Sequence, residues 1–141
     1  MILWSLEKAS FIQAFSKIGL IPDSGGTYFL PRLIGFQRAS ALAMLGDKID
    51  AFEAERIGLI YTYYSSDTFD EEVDKLAQKL ANMPTKALAF TKKALNRSME
   101  NSFENQLALE SKYQIASAES EDYQEGVNAF IEKRTPHFKG K

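Results

Sequence analysis

The sequence predicts an α/β chain with a short, mixed first half and an all-helical second half. Three observations carry that prediction. The run Leu59-Ile60-Tyr61-Thr62-Tyr63-Tyr64 is β-branched, aromatic or aliphatic throughout, as a strand requires. Beyond Asp67 the apolar residues recur at helical spacing through to Ile131. Between residues 18 and 27 lies a turn rich in proline and glycine, Ile18-Gly19-Leu20-Ile21-Pro22-Asp23-Ser24-Gly25-Gly26-Thr27, where an apolar run gives way to a helix.

Taken in order, Met1 to Leu6 is an apolar opening that reads as a buried strand or a linker. Glu7 and Lys8 end it well short of the ~20 residues of a membrane span, and it lacks the basic start and cleavage site of a signal peptide. A soluble cytoplasmic protein is the expectation. A short strand is expected near Phe11, then a loop into Pro22-Asp23. Thr27 to Leu33 reads as a short helix interrupted or restarted at Pro31, with Gly35 as its stop. Arg38 to Leu45 is rich in helix formers, ends at Gly46, and should be buried on more than one side.

Asp50 to Arg56 reads as another helix, with Asp50 as N-cap and Glu53 completing a capping box before Gly58. In the second half, Phe69, Val73, Leu76 and Leu80 mark a helix whose first turns carry Asp70, Glu71, Glu72 and Asp74. Met83-Pro84 ends it and opens the next, marked by Leu88, Thr91, Leu95 and Met99. A third helix runs from about Ser102 to Ala118, with Phe103, Leu107 and Ile115 inward. A last one follows Glu121-Asp122, carrying Tyr123, Val127, Phe130 and Ile131 up to Pro136. The boundary between a residue 1–66 core and a residue 67–141 helical region is set at Ser66.

Composition narrows the chemistry. With 17 basic against 19 acidic residues, the net charge of −2 offers no general attraction to nucleic acid. The 141 residues include no cysteine and a single histidine, His137. A thiolate metal site, a disulfide framework and a Ser/His/Asp triad are therefore poorly supported, and no metal or resident cofactor is expected.

Among the carboxylates, those at 70–74, 100–104 and 119–125 lie in charged helical contexts and read as solvated faces. Asp23 alone is framed by apolar residues, a proline and a glycine pair. Either it caps the following helix, or it is a general base presented on a fixed turn. Pro22 fixes the approach of the chain and Gly25-Gly26 let a ligand or another backbone come close. The basic residues Lys133 and Arg134 read as favourable charge at a helix C-terminus or as a phosphate contact.

The run from Phe11 to Thr27, then Leu30-Pro31-Arg32, Gly35, Arg38-Ala39, Gly46, Ala51-x-Glu53-Ala54 and Gly58-Leu59-Ile60, resembles the crotonase superfamily of enoyl-CoA hydratases and isomerases. The tail Glu125-Gly126-Val127-x-Ala129-Phe130-x-Glu132-Lys133-Arg134-x-Pro136-x-Phe138 is similar to that family's closing signature. The resemblance covers the chain from about Lys8 onward and implies the C-terminal half of a crotonase (ClpP-like) fold, with the helical region serving trimer or dimer-of-trimers assembly.

Hydratases of the family carry a catalytic glutamate where this chain has Phe15. Several isomerases instead have an acid where it has Asp23, and the surrounding wording is most similar to the family's ring-epoxide isomerase group. The resemblance thus implies Asp23 as catalytic base, with a coenzyme A thioester as substrate rather than as cofactor. Phe15, Ile21, Pro22, Gly25 and Phe29 would line the acyl site. A helix dipole weakens a carboxylate as a base, and an apolar wall of Phe15, Ile21 and Phe29 would offset this by excluding water. Lys133 matches the position that contacts a CoA phosphate across a subunit boundary. The family's oxyanion-hole donors and most of its adenine loop lie in the other half of its length, so this chain alone is expected to turn over little. The rivals are a plain enoyl-CoA hydratase and a non-catalytic helical assembly module.

Overall fold

A computed structural model describes residues 3–141. Of the apolar opening, residues 1 and 2 lie outside the described residues. The chain divides into two compact units, Met1–Glu72 and Val73–Lys141.

In the first unit, strand β1 (Trp4–Leu6) pairs in parallel with β4 (Thr62–Tyr64), setting Trp4 opposite Thr62 and Leu6 opposite Tyr64. The Trp4 and Tyr64 rings lie 5.1 Å apart, a cross-strand aromatic contact of the kind that stabilises short ladders. Strand β2 (Ser10–Phe11) pairs antiparallel with β3 (Ile49–Asp50). Between β2 and β3 run a 3-10 helix (Ala14–Ile18) and helices α1 (Gly26–Ile34) and α2 (Phe36–Leu45). Helix α3 (Ala51–Arg56) follows β3 directly.

Two small clusters form the core. Leu30, Ile34, Ala39 and Ile57 make one, and Ala51, Ala54 and Ile60 the other. Ile49 and Leu59 pack against both, which joins strand β3 and the turn after α3 to a single interior.

Several local expectations are corrected here. Helix α1 runs through Pro31 without a break. The carbonyl that Pro31 leaves without its i→i−4 donor belongs to Thr27, an exposed residue of the first turn, so water can satisfy it. Helix α2 buries only Ala39, and its Phe36, Met44 and Leu45 are exposed. The strand at Leu59 to Tyr64 begins only at Thr62. The backbone N–H groups of Leu59 and Ile60 both donate to the Ala54 carbonyl, at 2.9 and 3.3 Å, and so close α3 instead of entering a ladder. The capping box is half made. Asp50 accepts from the Glu53 N–H at 2.8 Å, but the Glu53 carboxylate turns forward to Arg56, at 2.6 and 2.7 Å.

Helix α4 (Phe69–Ala81) precedes three helices of the second unit: α5 (Thr85–Ser98), α6 (Phe103–Ala118) and α7 (Glu121–Glu132). Ser102 and Ser120 cap α6 and α7, each hydroxyl accepting a backbone N–H of the first turn. Helices α5 and α6 meet through the stacked rings of Phe90 and Tyr113, 4.7 Å apart, and through Gln106, whose amide donates to the Ala94 carbonyl. The half-buried stripe on α6 is Gln106, Leu109, Tyr113, Ala116 and Ser117, not Phe103, Leu107 and Ile115, which are exposed. Apolar residues surround α6 on more than one side, and within this unit it meets α5 and α7.

After α7 the chain doubles back along that helix. Asp122 accepts the backbone N–H groups of Lys139 and Gly140, at 2.6 and 2.9 Å. Phe138 lies against Gly126, where a Cβ would come 3.5 Å from its ring. Asp122 is only 3% exposed, which corrects the solvated reading of the 119–125 acids at this position. No helix among the described residues is long and apolar enough to cross a membrane.

Candidate active site

The turn at Asp23 is built from backbone geometry before any side chain acts. The 3-10 helix ends at Gly19, in left-handed backbone at φ 75°, and Leu20 donates back to the Phe15 carbonyl at 2.9 Å. The chain then runs through Ile21 and Pro22 to Asp23, and two successive left-handed residues, Ser24 (φ 49°) and Gly25 (φ 81°), swing it into α1. The Asp23 carbonyl accepts from Gly26 at 2.7 Å, closing the turn.

Gly25 occupies the N-cap position of α1 and no side chain bonds into that cap. Of the two roles open to Asp23, helix capping is therefore absent. Its carboxylate is exposed and has no hydrogen bond or ion pair to another described residue. A base must keep its lone pairs available, and the Asp23 carboxylate meets that condition.

The flanking residues fit closely. A Cβ at Gly25 would lie 3.1 Å from the Phe29 ring, and one at Gly26 3.1 Å from the Pro22 Cβ. Phe29 also meets Tyr28 edge-on at 5.1 Å, and Arg32 holds Tyr28 from the next turn, donating to its carbonyl at 2.8 Å with the guanidinium 3.6 Å above the ring. The structure thus brings Pro22, Asp23, Gly25 and Phe29 into one locally fixed turn.

It does not shield that turn. Phe15 is half-buried on the 3-10 helix, while Ile21 is 79% and Phe29 53% exposed. The described residues do not close a water-excluding wall around the turn. Gln13, which sequence reasoning passed over, is half-buried, and its carboxamide oxygen lies 4.0 Å from where a Gly26 Cβ would stand. No sequence signal marks it, since its proximity to Gly26 is a tertiary contact across 13 positions of chain.

Lys133 belongs to the second unit. It is the C-cap of α7, in left-handed backbone at φ 55°, and its exposed ammonium has no partner among the described residues. Arg134, adjacent in sequence, is fully engaged. Its guanidinium forks the Glu125 carboxylate at 2.7 and 2.9 Å and also reaches Glu132. That fork, with the His137 N–H at 2.8 Å, holds the Glu125 carboxyl down at about 2. The two basic residues that look alike in sequence therefore differ in availability. No group of three or more potential metal-ligating side chains occurs among the described residues.

Comparison with known proteins gives this geometry a family. The model of the enoyl-CoA hydratase/isomerase family matches residues 2–141. The 1,2-epoxyphenylacetyl-CoA isomerase of Escherichia coli (strain K12) is 44% identical over 140 residues, which make up 99% of this chain and 53% of that protein. A probable enoyl-CoA hydratase of Rhodobacter capsulatus is 43% identical over 99% of this chain and 54% of its own length. A crystal structure of enoyl-CoA hydratase subunit I from Geobacillus kaustophilus matches with a TM-score of 0.94 at 34% identity, over 99% of this chain and 55% of that one. The chain spans about half the length of the relatives it matches, and over that span it has the expected crotonase fold. With the family model matched over nearly every residue, the chain belongs to the enoyl-CoA hydratase/isomerase family.

Proposed function

We propose that this chain supplies the base of an acyl-CoA isomerase. Asp23 takes a proton from a carbon next to the thioester-conjugated system and returns it to another carbon, so the double bond moves with no net gain or loss of atoms. The observation that carries this reading is the state of Asp23: an unbonded carboxylate on a turn held by Pro22 and the left-handed Ser24 and Gly25. Proton removal leaves an enolate whose oxygen needs preorganised N–H donors, and the resemblance assigns those donors to the half of the family's length that this chain does not match. Little turnover by the 141 residues alone is part of the proposal, as is only weak binding of acyl-CoA through a Lys133 phosphate contact. Tight calorimetric binding by this chain alone would contradict it.

The decisive experiment is Asp23→Asn in an active enzyme containing this chain. A fall of about 10²–10⁴-fold in isomerisation is expected from loss of a general base. Undiminished isomerisation would overturn the assignment.

A hydratase remains the second reading, favoured by a probable enoyl-CoA hydratase at 43% identity, almost level with the isomerase at 44%. Phe15 counts against it, since a two-glutamate water addition needs a carboxylate there. Incorporation of isotopic oxygen from labelled water into the product would decide for the hydratase. The ring-epoxide preference, a cytoplasmic setting and assembly as a trimer or dimer of trimers belong to the same proposal. Light scattering on the purified chain tests the last, and an inactive trimer would favour the assembly-module rival.

A further inference from the structure

The tail of this chain treats two neighbouring basic residues in opposite ways. Arg134 is consumed by Glu125 and Glu132, whereas Lys133 is left unpaired in a backbone conformation that a residue with a Cβ adopts only when its surroundings hold it there. The surroundings are identifiable. Lys133 donates its N–H to the Phe130 carbonyl at 3.3 Å and Arg134 donates to the Ala129 carbonyl at 3.0 Å, which closes the end of α7. Glu125, two turns back on α7, then fastens the chain beyond Lys133 twice, through the Arg134 fork and through the His137 N–H at 2.8 Å. Glu132 precedes Lys133 and is bonded to Arg134 across it. The left-handed residue is clasped between residues that are themselves tied together.

We infer that the Glu125–Arg134 pair is a positioning element that fixes the direction in which Lys133 presents its ammonium to a phosphate of the coenzyme A thioester; this rests on the phosphate reading of Lys133 given above. A lysine on a free chain end samples many orientations, and a contact made from a fixed backbone forfeits less entropy on binding. Arg134 suits the clasp because only a guanidinium forks both carboxylate oxygens, and a lysine in its place keeps the charge but loses the fork.

A purely electrostatic account is distinguishable. The C-terminal end of α7 carries negative partial charge and lies beside Glu125 and Glu132, all of which oppose an arriving phosphate. If charge alone mattered, deleting Glu125 would tighten phosphate binding and Arg134→Lys would leave it unchanged. The positioning role predicts that both substitutions weaken it.

The test compares coenzyme A with pantetheine, its phosphate-free portion, on the full 141-residue chain by NMR titration. Glu125→Ala, Arg134→Lys and Lys133→Ala are set beside the unsubstituted protein, with melting followed by circular dichroism. Arg134→Lys carries the test should Glu125→Ala lose helical content. The preference for coenzyme A over pantetheine should fall roughly five- to tenfold in all three, the scale of one solvent-exposed hydrogen bond. Asp122→Asn, which loosens the tail only at Lys139 and Gly140, should leave that preference intact. If Lys133→Ala abolishes the preference while Glu125→Ala and Arg134→Lys retain or raise it, the positioning role is wrong and the phosphate contact stands. If the unsubstituted chain does not prefer coenzyme A at all, the phosphate contact fails and the positioning role falls with it.

Discussion

Replacing Gly25 by alanine should destabilise the first unit, and replacing Gly26 should not. Gly25 sits at φ 81°, where a Cβ crowds the adjoining carbonyl at a cost of about 1–2 kcal/mol. Its new methyl would also meet the Phe29 ring at 3.1 Å, but that ring is more than half exposed and can swing aside, so the contact adds little. Gly26 begins α1 with ordinary backbone, and there alanine gains up to ~1 kcal/mol of helix propensity. Against that gain stands a 3.1 Å contact with Pro22, a rigid ring that transmits the displacement to Asp23. Gly25→Ala should therefore lose about 1–2 kcal/mol, a drop of ~0.5–1 M in urea midpoint for a slope near 2 kcal/mol/M, with the slope unchanged. Gly26→Ala should stay within about 0.5 kcal/mol of the parent and yet, on the proposed function, lower isomerisation in the active enzyme by displacing Asp23. Equal stability of the Gly25→Ala variant and the parent would refute the claim that left-handed backbone holds this turn.

Two further outcomes concern the core and the tail. Ile34→Ala, at a site 5% exposed and packed with Leu30, Ala39 and Ile57, should cost about 2–5 kcal/mol, read as a lowered calorimetric melting temperature; a change below ~1 kcal/mol would mean that the cluster does not carry the unit. The Glu125 carboxyl titrates at about 2 in the folded chain against an ordinary value of 4.5, lowered first by the Arg134 fork and then by the His137 N–H. Because the folded value is the lower one, its stabilisation is complete above 4.5 and is lost as pH falls from there towards 2. Melting temperature should accordingly drop more steeply over that window in the parent than in Glu125→Gln, and parallel slopes would contradict the linkage.

The helices of the second unit were legible because their signals are local. Pro84 before α5 and the spacing of apolar residues act within a few positions, and the caps that the structure adds at Ser102 and Ser120 are equally local. The same holds for Asp50 and Gly58 around α3. What sequence misjudged depends on partners. Leu59 to Tyr64 has strand composition throughout, but only Thr62–Tyr64 finds β1, since the Leu59 and Ile60 amides are claimed by Ala54.

At the candidate site, whether Asp23 caps α1 turned on the backbone of Ser24 and Gly25. A glycine at position 25 permits that conformation without dictating it, and nothing in the sequence marks Ser24 as left-handed. Asp122 and Glu125 looked like solvated charges because their partners lie 9 to 18 positions further on, beyond any helical spacing. The family likeness supplied roles for Asp23 and Lys133 that residue chemistry alone left open.

The parallel pairing of β1 with β4 has a kinetic consequence. Trp4 and Thr62 are roughly 60 positions apart, and closing a loop of that length costs about 4 kcal/mol before any contact repays it. Helices α5, α6 and α7 need only their sequence neighbours and carry no comparable entropy barrier. On the ribosome, β1 emerges and then waits for a partner synthesised about 3–12 s later at ~5–20 residues per second. Until then β1 lacks its β4 partner, which makes that interval, rather than the folding of the helical unit, the point at which a chaperone would most affect this pairing.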